Sequence, residues 1–143
     1  SVMKGENKMS EKQLFAAFSD ETQAVYEEEA MRLYDPAIVK ASSARWKRYT
    51  SVEKERIAAE GNAVYADFVQ AIPAGPASPR AQDCVARWRR HMDYFWTPNT
   101  EQLAALARGY CDDPRFRANF DKIDPRLAGF VYEAVVEYVK RLG

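Results

Sequence analysis

One histidine and two cysteines in 143 residues exclude several kinds of chemistry at once. Structural zinc usually takes four Cys or His ligands. The chain offers three such residues, Cys84, His91 and Cys111, in no zinc-like spacing, so no metal site is expected. The two cysteines form no CxxC pair, and both fall in stretches that read as helical. Free thiols in a reducing, cytoplasmic setting are therefore expected rather than a disulfide framework. There is no GxSxG elbow, P-loop or GxGxxG, which leaves nucleophilic catalysis and nucleotide binding without support. No apolar run approaches the roughly eighteen residues of a membrane span. Neither Asn-Gly nor Asp-Gly occurs, and no strand-like alternation is sustained, so hairpins are not expected. Formal net charge is zero, from 21 Lys+Arg against 21 Asp+Glu, so the chain has no overall field for nucleic acid or anionic membrane. No catalytic constellation is found, and the reading is of a protein that binds rather than catalyses, with no cofactor.

What is present is helical punctuation. Five prolines come directly after a capping-type residue: Asp35-Pro36, Ser78-Pro79, Thr97-Pro98, Asp113-Pro114 and Asp124-Pro125. Asp, Ser or Thr at an N-cap satisfies free backbone N–H groups, and proline at the next position loses nothing. Thr50-Ser51-Val52-Glu53 fits a capping box. Leu127, Phe130, Val131, Ala134, Val135, Tyr138, Val139 and Leu142 recur every three or four residues, the mark of an amphipathic helix. Ile57, Gly61, Val64, Tyr65, Phe68, Val69 and Ile72 form a second stripe, in which Gly61 predicts a close helix contact. Another helix is expected from about Ser10, carrying Leu14, Phe15, Phe18, Val25 and Tyr26. The segment 72–78, rich in Pro and Gly, reads as a linker. The expectation is an all-α bundle of roughly six to eight helices. Residues 1–9 would form a junction or mobile segment and 10–143 the domain. The opening Ser1-Val2-Met3 predicts a piece of a longer protein.

The aromatics carry the functional signal. Residues 84–96 hold two of the three tryptophans and the sole histidine. At helical spacing Cys84, Trp88, His91, Met92 and Phe95 share one face, with Arg89, Arg90 and Asp93 opposite. This face suits a core, the wall of an apolar pocket in which polar tips orient a ligand, or a haem site. For His91, a packed ring bonded to a neighbouring carbonyl or carboxylate outweighs a ligating or catalytic one. For Trp88, Phe95 and Trp96, core and pocket stand even. Arg45, Lys47, Arg48, Arg87, Arg89 and Arg90 read as solvated helix faces, with arginine free to stack on Trp46 and Tyr49.

The segment 106–116 resembles the TipA-S domain, the antibiotic-recognition domain of MerR-type transcription regulators. Leu106, Tyr110, Asp113, Arg115 and Phe116 match its central motif. Asp121-Lys122, Pro125, Leu127, Ala128, Phe130 and Ala134 match the family pattern on the C-terminal side of that motif. Upstream, Ser42, Arg45, Tyr49 and Thr50 match an S-x-x-R-x-x-x-Y-T element, and Leu14, Phe15 and Phe18 resemble the family's N-terminal junction. The chain departs from the pattern at Trp88, where histidine is common, and at Gly109, where methionine is usual. Ala104 and Ala105 stand where some members bear a ligand-capturing cysteine, and Cys111 is not its equivalent.

The resemblance implies a globin-like fold without haem and a cleft for hydrophobic small-molecule or peptide antibiotics, over which N-terminal helices close. Trp88, His91, Met92, Phe95 and Trp96 are expected to form one wall, with Tyr110 nearby and Tyr26, Trp46 and Tyr49 contributed by the closing half. DNA would be met only through a helix-turn-helix preceding this piece. The full-length protein is expected to be a homodimer, and the piece itself a monomer. Two alternatives stand beside this: a free-standing, drug-sequestering resistance protein, and a haem- or tetrapyrrole-binding globin relative using His91.

Overall fold

The computed structural model describes residues 36–143, which hold six α-helices and one 3-10 turn and no strand. They are α1 (Pro36–Arg48), α2 (Ser51–Ala71), α3 (Pro79–Met92), α4 (Thr100–Asp112), α5 (Pro114–Ile123) and α6 (Leu127–Leu142), with the 3-10 turn Ile72–Ala74 after α2. The expected helix near Ser10 lies outside the described residues.

Local chemistry sets most boundaries. The Thr50 hydroxyl accepts from the Glu53 N–H at 3.1 Å, and the Glu53 carboxylate accepts from the Thr50 N–H at 2.8 Å, closing the capping box of α2. That bond holds the Glu53 carboxyl below its ordinary range. Ser78 caps α3 through the Ala81 N–H, and Asp113 caps α5 through the Arg115 N–H, each with proline at the first helical turn. Two of the proline pairs work otherwise. Thr97 is not a cap: α4 is capped by Asn99, whose side chain and that of Gln102 form a second capping box. Pro98 is instead buried outright. Asp124 closes a turn before α6, accepting from the Arg126 N–H at 2.8 Å, and α6 has no side-chain cap. In the linker Gly75 takes φ +95°, a region that side chains rarely adopt.

The most extensive pairing is α4 with α6, then α2 with α3, and α6 also packs on α2, α3 and α5. Ala107, Ala128 and Ala134 are fully buried, so the helices that carry them approach without large side chains between them. Phe68, Trp88, Leu103, Leu127, Val131 and Val135 fill the remaining space. Burying side chains of this size contributes about 1.5–3 kcal/mol each. The Gln82 amide donates to the Pro76 and Ala134 carbonyls at 2.8 and 3.1 Å, tying the linker to α6. No described helix is long and apolar enough to cross a membrane.

Candidate ligand cleft

Helices α2 and α3 part along one side to leave a cleft of about 330 Å³ lined by Glu60, Ala63, Val64, Arg87, Arg90, His91 and Tyr94. His91, one of its lining residues, packs where α2 lacks a side chain. A Cβ added at Gly61 would sit 3.1 Å from His91 Cε1, so the imidazole occupies the space that glycine leaves. The close approach expected at Gly61 is therefore present.

His91 Nε2 lies 2.8 Å from the Ile57 carbonyl oxygen. A carbonyl only accepts, so Nε2 carries the hydrogen and donates, and in the neutral ring Nδ1 is an acceptor. Burial pushes the His91 pKa down, opposed by the Ile57 hydrogen bond and the Glu60 charge. This is the packed, carbonyl-bonded histidine that the sequence favoured. Iron ligation through Nε2 would require giving up that bond. Among the described residues no group of three or more His, Cys, Asp or Glu is placed to hold a metal ion.

The other polar groups of the cleft are also tied down, with one exception. The Tyr94 hydroxyl donates to both Glu60 oxygens at 2.7 and 2.8 Å, and this bond raises the Tyr94 pKa. Arg87 Nη1 meets Asp67 Oδ2 at 2.5 Å. Arg90 is exposed and makes no side-chain hydrogen bond or ion pair among the described residues.

Tyr94 belongs to a turn, not to α3. The helix ends at Met92, and the Phe95 and Trp96 N–H groups both donate to the Met92 carbonyl. The face expected to run to Phe95 therefore breaks one turn early, and α1 docks on the turn. Arg45 Nη1 donates to the Asp93 carbonyl at 2.7 Å, and the Tyr49 hydroxyl donates to the Tyr94 carbonyl at 2.6 Å. Trp46 stacks on Phe95 at 5.6 Å between centroids, 28° from parallel. The Lys54 ammonium lies 5.2 Å from the centroid of the Trp46 ring. His91 makes edge contacts with Tyr94 at 5.4 Å and Phe95 at 6.1 Å. The S-x-x-R-x-x-x-Y-T element thus joins α1 to the rim of the cleft through Arg45 and Tyr49, and starts α2 with Thr50.

The sequence-selected residues fall into three groups. His91 lines the cleft, and Trp46, Tyr49 and Phe95 form an aromatic cluster beside it. Trp88, Met92 and Tyr110 lie in the core at 1%, 8% and 6% exposure, because the apolar face of α3 points into the bundle. Tyr110 packs on Phe120 at 4.5 Å and on Trp88 at 6.1 Å. The Trp88 indole N–H is buried without a hydrogen-bond partner among the described residues. Trp96 is half-buried and not among the lining residues, and Tyr26 lies outside the described residues. Cys84 is buried and Cys111 half-buried, both as free thiols whose pKa burial pushes up.

Sequence reasoning missed Glu60, Ala63, Val64, Arg87, Arg90 and Tyr94 as lining residues. Their spacing, 60–63–64 on α2 and 87–90–91–94 at α3, is a legible stripe. It reads as solvated because charges beside an apolar face look the same whether they meet water or another helix. Arg89 likewise lies over the Tyr138 ring at 6.0 Å instead of standing free.

Known proteins share this architecture. A Streptomyces lividans TipAS structure, solved with nosiheptide and described as part of a thiopeptide antibiotic multidrug resistance system, superposes with a TM-score of 0.77 at 24% identity. The match covers 94% of this chain and 97% of that one. The HTH-type transcriptional activator mta of Bacillus subtilis (strain 168) is 28% identical over 143 residues, 96% of this chain. The chain spans about half of that relative, 55% of its length. The family model for the TipAS antibiotic-recognition domain matches residues 26–138, and the chain belongs to that family.

Proposed function

We propose that residues 10–143 form the effector-binding domain of a drug-sensing, MerR-type transcription activator. A hydrophobic small molecule or peptide antibiotic would occupy the α2/α3 cleft. The observation that carries this reading is the meeting of ligand space and docking surface at one turn. His91 and Tyr94 line the cleft, and the same turn takes the Arg45, Trp46 and Tyr49 contacts of α1. A ligand that prefers one arrangement of that turn shifts the population of the docked α1, which is ordinary linkage. The family match and the similarity to an HTH-type activator support the regulatory setting. DNA contact and homodimer formation would then belong to sequence preceding this domain. Binding, not catalysis, is the activity proposed.

Tryptophan emission tests the reading. Trp46 stacks at the rim, while Trp88 is enclosed in the core. Titration with a panel of hydrophobic antibiotics, nosiheptide included, should change the emission. Trp46→Phe should remove most of the change. A folded protein, shown by circular dichroism, whose emission responds to no panel member would refute the proposal.

A further inference from the structure

The cleft sets two opposite charges against each other without pairing them. Glu60 on α2 and Arg90 on α3 line the same space, yet no ion pair between them is present among the described residues. The neighbouring polar groups are already engaged. Arg87 is neutralised by Asp67, His91 Nε2–H is spent on Ile57, and the Tyr94 hydroxyl on Glu60. The Arg90 guanidinium, a planar fork of five donors, has no such partner. Glu60 receives one proton from Tyr94 shared over both oxygens, which leaves lone pairs facing the cleft. Ala63 and Val64 add apolar surface to the same space.

A flat, wholly apolar ligand placed here would strip water from both charges and return nothing, which is costly for each. A ligand with an acceptor edge at one end and a donor at the other replaces that water with charge-assisted hydrogen bonds. We infer that Arg90 and Glu60 are the specificity-determining residues of this cleft and select a dipolar ligand. It presents a carboxylate to Arg90 and an ammonium N–H donor to Glu60, with an apolar body over Ala63 and Val64. The inference rests on the proposed function, since it describes what the same cleft accepts. It narrows a hydrophobic ligand to one with charged ends.

Three probes share one apolar body. They are 6-(aminomethyl)-2-naphthoic acid, which bears one charge at each end, its carboxamide, which lacks the anion, and 6-methyl-2-naphthoic acid, which lacks the cation and its N–H donors. Calorimetric titration of the wild-type chain should give an affinity for the zwitterion about tenfold above that for the carboxamide, a typical difference for one charge-assisted contact. Arg90→Gln should erase that difference and leave carboxamide binding unchanged. Glu60→Gln, which can still accept from Tyr94, should erase the preference for the zwitterion over 6-methyl-2-naphthoic acid. Arg90 is exposed and Glu60→Gln keeps an acceptor for the Tyr94 hydroxyl, so thermal melts should show both proteins folded. Equal wild-type affinity for all three probes would overturn the inference, as would an Arg90→Gln variant that weakens all three alike. If no naphthyl probe binds while a hydrophobic antibiotic does, the inference fails and the proposed function stands. If neither class binds, both fail.

Discussion

Replacing Gly61 by alanine tests the joint between α2 and α3. In a helix interior alanine is favoured over glycine by about 0.8–1.0 kcal/mol, so the change is stabilising if nothing else is met. At this site the new methyl falls 3.1 Å from His91 Cε1 and 3.4 Å from Nε2. The contact is tolerable only if the imidazole retreats by a few tenths of an ångström. It is held against retreat by the 2.8 Å bond to the Ile57 carbonyl and by Tyr94 and Phe95 at its edges. Overpacking of this kind costs about 1–3 kcal/mol, and loss of the hydrogen bond accounts for about 1 kcal/mol of that. The cost exceeds the helical gain, and Gly61→Ala should destabilise the domain by about 1 kcal/mol, a fall in Tm of about 3 °C at this size. His91→Ala removes the obstacle, so in that background Gly61→Ala should raise Tm by a similar amount. Thermal melts of the four proteins give the coupling between the sites. A rise in Tm for Gly61→Ala alone, or the same shift in both backgrounds, would refute the reasoning.

Two further predictions concern the same part of the fold. Thr50→Ala removes the hydroxyl that accepts from Glu53 and opens the capping box of α2. It should cost about 1 kcal/mol in urea unfolding with the m-value unchanged, and Thr50→Ser should restore most of it. The His91 pKa is lowered in the fold from its ordinary 6.5 by burial. As pH falls through that value the unfolded chain takes the proton first, so stability declines from about pH 6.5 downward and is fully present above it. The drop in stability between pH 7.5 and 5.5 should shrink in His91→Gln, and an undiminished drop would assign it to other groups.

Residues close in sequence determined the local structure. The Thr50–Glu53 box, the Ser78-Pro79 and Asp113-Pro114 starts and the α2 and α6 stripes need only neighbours within one or two turns, and each is present as read. The family resemblance was also legible, because residues such as Asp113 and Tyr110 cap and pack whatever the ligand. Thr97 and Phe95 show where local reading ends. Asn99 made a better cap than Thr97, and α3 stopped at Met92 before Phe95 could join its face. Only the tertiary structure decided which aromatics were core and which stood at the rim. Trp88 and Trp46 are alike in type and both buried, yet one faces the centre of the bundle and the other stacks on the turn that α1 grips. The same holds for charge. Glu60 and Arg90 stand thirty residues apart, and spacing along the chain says nothing of their sharing a cleft. That juxtaposition exists because α2 and α3 pack against each other, with His91 seated against Gly61, and leave the cleft alongside.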